Sequence, residues 1–138
     1  YALLPHAGDW RAANLTAEGL AVNTPPRGLQ AARSKGSLPA AHSFFDLGRD
    51  AAATLVTIKQ SLAGGAFTAR VYDSGGAGAD VRIRAWAPIA KCEKTDMMEK
   101  NIIAPVKVSS GIARDKLAPW EIATYRFTLK SPVEKKGK

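Results

Sequence analysis

The sequence predicts an all-β protein, an antiparallel β-sandwich with a short helical lead-in at the N-terminus. Three observations predict it. From Phe44 onward apolar residues recur with a period of two, the periodic runs are short and closely spaced, and glycine clusters separate them. Successive side chains of a strand point to opposite faces, so each run offers one face to a core and one to solvent or a partner. The pattern contains no strand–helix–strand alternation and no internal repeat.

The elements follow in order. Tyr1-Ala2-Leu3-Leu4 reads as the end of a strand, which Pro5 confines to an edge or terminates. Asp9 is placed to cap a short helical stretch from Trp10 through Ala13, and a second stretch runs from Thr16 to Val22 with Glu18 near its start. Asn23-Thr24-Pro25-Pro26 stops it, since proline cannot continue a helix and constrains the residue before it. Residues 1–26 are expected to form a lead-in strand and short helix continuing from an upstream domain. Residues 27–43, with Gly28, Ser34, Gly36, Ser37 and Pro39 and few large apolar side chains, read as a loop or linker.

The sandwich proper is expected over 44–130. Thr54-Leu55-Val56-Thr57-Ile58 is β-branched and nearly continuous, the pattern of a more buried strand. In Phe67-Thr68-Ala69-Arg70-Val71-Tyr72, one face carries Phe67, Ala69 and Val71, the other Thr68, Arg70 and Tyr72. In 81–87, Val81, Ile83, Ala85 and Ala87 alternate with Arg82, Arg84 and Trp86, and Ala123 to Leu129 alternates again. Ala63-Gly64-Gly65-Ala66 and Ser74-Gly75-Gly76-Ala77-Gly78 supply the reversals, while Pro88, Ser109-Ser110-Gly111 and Pro119 punctuate the remainder. Residues 131–138, with Lys135, Lys136 and Lys138, read as a basic, disordered tail.

Composition narrows the function classes. At 138 residues, 46% hydrophobic and 23% charged, the chain resembles ordinary globular domains. No apolar run approaches the roughly 18–20 residues that span a bilayer, and no secretory leader is visible, so no membrane partner is expected. The chain opens without Met and in mid-pattern, which reads as a piece of a longer polypeptide. The single cysteine, Cys92, forms no internal disulfide, and Asn14-Leu15-Thr16 is a sequon of a kind that arises often by chance. The net charge of +8 is scattered along the chain, without the aromatic-interleaved basic motif of nucleic-acid modules, so no nucleic-acid partner is expected.

Chemistry-bearing patterns are sparse. His6, His42 and Cys92 are far apart in sequence, with no metal-ligand spacing, and no nucleophile elbow occurs. His6 reads as a ring bonded to the loop after Pro5. Lys91 and Lys94 could lower the pKa of Cys92, but a cysteine on a strand flanked by surface lysines is the plainer reading. Asp73 and Asp80 flank one glycine turn and would face each other across its mouth, as a glycosidase pair must face across a cleft; the plainer reading has them solvate the turn. Trp10, Trp86 and Trp120 are candidate contacts, either for sugar stacking or for an interdomain surface. Trp86, on the Arg82–Arg84 face, is expected to point outward toward such a surface. No catalytic, cofactor-binding or metal residue is assigned.

An ordered set of motifs resembles a known family. Tyr1 to Arg11, with Pro5-His6-Ala7-Gly8-Asp9-Trp10 at its centre, is similar to a segment of the family 38 α-mannosidases (glycoside hydrolases), followed there by a helix and an Asn-x-Pro step matched by Asn23-Thr24-Pro25. Val56 to Lys59, Arg70-Val71-Tyr72-Asp73-Ser74-Gly75-Gly76, Asp96-Met97-Met98-Glu99 and Leu117-Ala118-Pro119-Trp120-Glu121-Ile122-Ala123-Thr124 are similar to later motifs in the same order. The departures are Asp73 where glutamate is frequent and a longer glycine turn. The Pro-His-x-Gly-Asp form resembles the cytosolic and bacterial branch. That resemblance implies a parent that is a retaining exo-α-mannosidase, whose aspartate nucleophile and zinc or similar divalent ion belong to an upstream catalytic domain. This segment would then be its non-catalytic C-terminal β-sandwich, packed on the catalytic and central domains of the same polypeptide. A cytoplasmic location follows from the branch and the single cysteine.

Overall fold

The structure, a computed structural model, describes residues 2–32, 35–48, 50 and 52–130. The basic tail expected at 131–138 lies outside the described residues. The chain divides into two units, Tyr1–Ser43 and Phe44–Lys138.

In the first unit the Asp9 carboxylate accepts the backbone N–H groups of Arg11 and Ala12 at 3.0 and 2.9 Å. These bonds hold residues 10–14 in a turn, where a short helix was expected, and Asn14 at φ 50 redirects the chain into the helix α1 (Leu15–Asn23). The helix ends where Asn23-Thr24-Pro25 requires, with the Thr24 N–H bonded to the Leu20 carbonyl at 2.8 Å. Leu3 is 97% exposed, and Ala2 to Leu4 form no strand; a strand needs a paired neighbour, and no described segment pairs with them. The described residues between 27 and 43 contain neither helix nor strand.

Among the described residues the second unit carries nine strands: β1 (Phe45–Asp46), β2 (Ala53–Gln60), β3 (Phe67–Asp73), β4 (Ala79–Ala85), β5 (Ile89–Thr95), β6 (Ile102–Pro105), β7 (Lys107–Ser109), β8 (Ile112–Leu117) and β9 (Ile122–Leu129). They form two antiparallel sheets, a four-stranded one in the order β1-β4-β8-β7 and a five-stranded one in the order β2-β3-β9-β5-β6. Between them lies a core of Val81, Ile83, Ala113 and Leu117 from the first sheet and Ala69, Val71, Ile89, Cys92, Ala123, Tyr125 and Phe127 from the second. Full burial of a side chain such as Val71, Ile83 or Phe127 stabilises by about 1.5–3 kcal/mol. The period of two is the reason these faces meet: Val81 and Ile83 are buried while Arg82 and Arg84, between and beside them, are exposed.

Two features depart from the alternation expected of the sequence. The run Thr54 to Ile58 is an edge strand, not a buried one. Register slips between Leu55 and Thr57, so Val56 is the extra residue of a bulge and stands 56% exposed. Its β-branched character suits the pleat and says nothing of burial. On the outer face of the five-stranded sheet, Thr68 and Thr124 are buried although they alternate with the core residues. The segment 96–101, between β5 and β6, folds over that face and roofs it.

Candidate functional site

Three bonded groups join the segments that carry the motifs, one of them beneath the roof. The first centres on Asp73, at the end of β3 and 1% exposed. Its carboxylate accepts the backbone N–H groups of Gly75 and Gly78, both at 2.9 Å, and of Trp120 at 3.0 Å. Burial pushes its pKa up, but the hydrogen bonds of Trp120, Gly78, Gly75 and Gly76 outweigh it and hold the carboxyl below the usual carboxylate range. The Trp120 indole lies over Gly76, where an added Cβ would fall 2.1 Å from the ring. With Gly76 at φ 77, only glycine serves there. Asp80 points away, exposed and 3.6 Å from Lys116 Nζ. The two aspartates therefore form no pair across a cleft, and Asp73 does not solvate the turn: it is the buried knot that ties it.

The second group centres on Glu99, whose backbone is left-handed at φ 61. Its Oε2 accepts Thr68 Oγ1 at 2.9 Å, Ser61 Oγ at 3.1 Å and the Leu62 N–H at 3.1 Å, while Oε1 is ion-paired with Lys59. Burial raises its pKa, yet the Lys59 bond, with those of Leu62, Thr68 and Ser61, brings it down to about 2. The roof is pinned again by Arg70, which donates to the Met97 carbonyl at 2.7 Å and to Thr124 Oγ1 at 3.2 Å. Asp96 folds the segment on itself by accepting the N–H groups of Lys100 and Asn101 and the Asn101 amide.

The third group lies where β5, β8 and β9 approach. Lys94 Nζ is 2.6 Å from Glu121 Oε1 and 3.5 Å from Asp115 Oδ2, and the buried Tyr125 hydroxyl donates to Asp115 at 2.9 Å. Glu121 also accepts the Ala118 N–H at 2.8 Å, closing the turn before β9. Burial and the Asp115 carboxylate push the Tyr125 hydroxyl well above its ordinary pKa. Cys92 is 2% exposed, and burial, with Asp115 adding to it, pushes its thiol up to about 12. Lys94 is committed to carboxylates, so Cys92 is neither activated nor a surface residue; it is part of the core. Nearby, Glu93 bonds Lys91 and Arg126, whose donors hold its pKa down.

Within the second unit, Trp86 and Trp120 do not share a site. Trp10 belongs to the first unit, with the Arg11 guanidinium 4.3 Å from its ring centroid. Trp86 lies just past the end of β4, off the arginine face on which the alternation had put it. Its ring meets Phe45 and Phe67 edge-on at 5.2 Å, closing the open end of the sandwich, and stays 49% exposed. Trp120 is 60% exposed at the Asp73 end of β3, and Trp86 is at its Phe67 end, so the two stand about 20 Å apart. No joint stacking platform arises from that spacing. His6 and His42 are exposed residues of the first unit, and among the described residues no group of three or more His, Cys, Asp or Glu could hold a metal ion.

Sequence reasoning passed over Lys59, Thr68, Lys94 and Asp115 as site residues. Lys59, Asp96, Glu99 and Glu121 stood inside recurring motifs, and that was the available signal; Thr68, Lys94 and Asp115 carried none. Chemically, every described carboxylate with a displaced pKa is displaced downward, by donors that saturate it. A general acid needs the opposite displacement. A protein-family model described as the glycosyl hydrolases family 38 C-terminal beta sandwich domain matches residues 52–125, the span that holds all three bonded groups. No curated protein matches the chain.

Proposed function

The chain belongs to the family of glycosyl hydrolase family 38 C-terminal beta sandwich domains, and on that premise we propose that it is the non-catalytic closing domain of a retaining exo-α-mannosidase. In this reading it packs against the catalytic and central portions of the same polypeptide and shapes them, while the parent hydrolyses terminal α-mannosides. The observation that carries it is the state of the buried and half-buried carboxylates. Asp73, Glu93, Glu99 and Glu121 are all bound to backbone N–H groups, lysines or an arginine, which leaves them ionised and occupied, fit to brace turns rather than to protonate or attack a glycosidic bond.

The divalent ion implied for such an enzyme does not fit the residues present: no described His, Cys, Asp or Glu group converges on a metal position. It belongs in this reading to the upstream catalytic portion. The exposed apolar side chains supply a surface for that portion. Met97 and Met98 on the roof, Ile122 on the outer face of β9, and Ile102 and Ile103 on the edge strand β6 are each more than half exposed, as is Trp120; Trp86 is nearly so. Trp86 and Trp120 then serve as interdomain contacts rather than sugar platforms. No described helix is long and apolar enough to cross a membrane, and the reading places the parent in the cytoplasm.

The test is hydrolysis of an aryl α-mannoside, with zinc and cobalt supplied, by this chain alone and by its parent polypeptide. No turnover is expected from the chain and turnover from the parent. Activity of the chain that survives rigorous purification would overturn the reading.

A further inference from the structure

The outer face of the four-stranded sheet carries a charge pattern that the bracing groups do not use. Arg82 on β4 stands directly opposite Arg114 on β8, and Arg114 stands directly opposite Lys107 on β7. All three are exposed. Directly opposed side chains lie about 5 Å apart, and like charges at that separation destabilise a sheet. Flanking rows are compensated, Arg84 by Asp46 at 2.9 Å and Lys116 by Asp80 at 3.6 Å. Among the described residues no carboxylate forms an ion pair with any member of the middle row.

Two members of the row, Arg82 and Arg114, also line a groove. Residues 46–48 and Asp50 are tied to β4 by the Arg82 N–H on the Leu47 carbonyl and the Asp80 N–H on Asp50 Oδ2. At Gly48, φ is 90 and an added Cβ would stand 3.3 Å from Arg82 Cβ, so glycine lets this wall close in. The result is a groove of about 790 Å³, whose described lining sets the cations Arg82, Arg114 and Lys116 among the carboxylates Asp46, Asp50, Asp80 and Asp115. That size is in the range of small-ligand sites.

We propose that this groove binds a small phosphate-bearing ligand, its phosphoryl oxygens accepting from the guanidinium groups of Arg82 and Arg114. Each guanidinium offers a planar fork that matches phosphoryl oxygens, and a dianion relieves the repulsion that the bare row retains. Asp46 and Asp80 are paired with their own cations, Asp115 with Lys94 and the Tyr125 hydroxyl, and Asp50 accepts the backbone N–H groups of Ala52 and Asp80, so the walls oppose an anion less than their composition suggests. A neutral sugar would leave the row uncompensated. The site is separate from the interdomain surface proposed above and does not depend on the mannosidase reading.

The experiment is calorimetric titration of the protein at low ionic strength with inorganic phosphate, glucose 6-phosphate and glucose. Saturable binding of a single phosphate group per chain is expected, with none for glucose. Tighter binding of the ester than of inorganic phosphate identifies a sugar phosphate as the ligand; equal binding identifies free phosphate. Removing charge-assisted bonds should cost roughly tenfold or more in affinity for Arg82→Gln and for Arg114→Gln, while Lys100→Gln on the opposite sheet changes nothing. Both arginine variants should melt at or above the parent temperature, because each removes a repulsion. Phosphate binding that does not saturate, or that persists unchanged in both arginine variants, overturns the proposal, as does glucose binding as tightly as its phosphate.

Discussion

Glu99 and Trp120 both adopt left-handed backbone, at φ 61 and 62, a region that costs a non-glycine residue about 1–3 kcal/mol. Each holds that position because a buried carboxylate group over-determines it. Truncating Glu99 to alanine strands the Lys59 ammonium and the buried hydroxyl of Thr68, and should destabilise by about 3 kcal/mol or more in urea unfolding. Glu99→Gln keeps the shape but not the charge, and should lie between. Gly76→Ala should destabilise by about 2 kcal/mol or more, since its methyl enters the Trp120 ring and its φ is forbidding. In a Trp120→Ala background the steric part of that cost should vanish, leaving the backbone part; a double-mutant cycle reads the difference. If the two costs are equal, the indole does not lie over Gly76.

Among the elements, β3, β4 and β9 are those whose faces matter most, and Ala69 in β3 is fully buried against both sheets. Ala69→Asp places an unpaired carboxylate there and should abolish the cooperative melt or lower stability by about 4 kcal/mol or more. A melting temperature unchanged by that substitution would reverse the face assignment. These three strands were legible in the sequence because their inner residues face only the other sheet, so a period of two translates directly into burial. Other elements were not legible for definite reasons. Val56 sits on a bulge at a sheet edge, where one extra residue breaks the period. The burial of Thr68 and Thr124 depends on the segment 96–101 arriving from elsewhere, and no local pattern announces that. Trp86 falls one residue past the end of β4, where alternation stops predicting direction. Ala2 to Leu4 had strand-like composition but no pairing partner, which composition cannot supply. The buried carboxylates were visible as motif residues; their bracing role was not, because each acts on a turn far away in sequence.

At the scale of the molecule, the depressed carboxylates make one collective statement about pH. Asp73, Glu93, Glu99 and Glu121 all have folded-state pKa values below their unfolded ones. A depressed carboxyl contributes stability that is fully present above its unfolded pKa and is lost as protons bind the native form. The unfolding free energy should therefore be flat from neutral pH down to about 5 and fall steadily below about 4.5, with Glu99 still losing its share down to about pH 2. Urea midpoints measured across that range check the sign; a protein that gained stability on acidification would contradict these assignments. The Asp73 knot has a further consequence, for the order of events in folding. Its bond to Trp120 joins residues 47 positions apart, so the knot is complete only once the turn before β9 has arrived. Contacts of such long sequence separation form late, after loop closure has been overcome. Loosening the knot with Gly76→Ala should then leave the refolding rate nearly unchanged and speed unfolding, which makes Asp73 a latch on the lifetime of the native sandwich rather than a guide to reaching it.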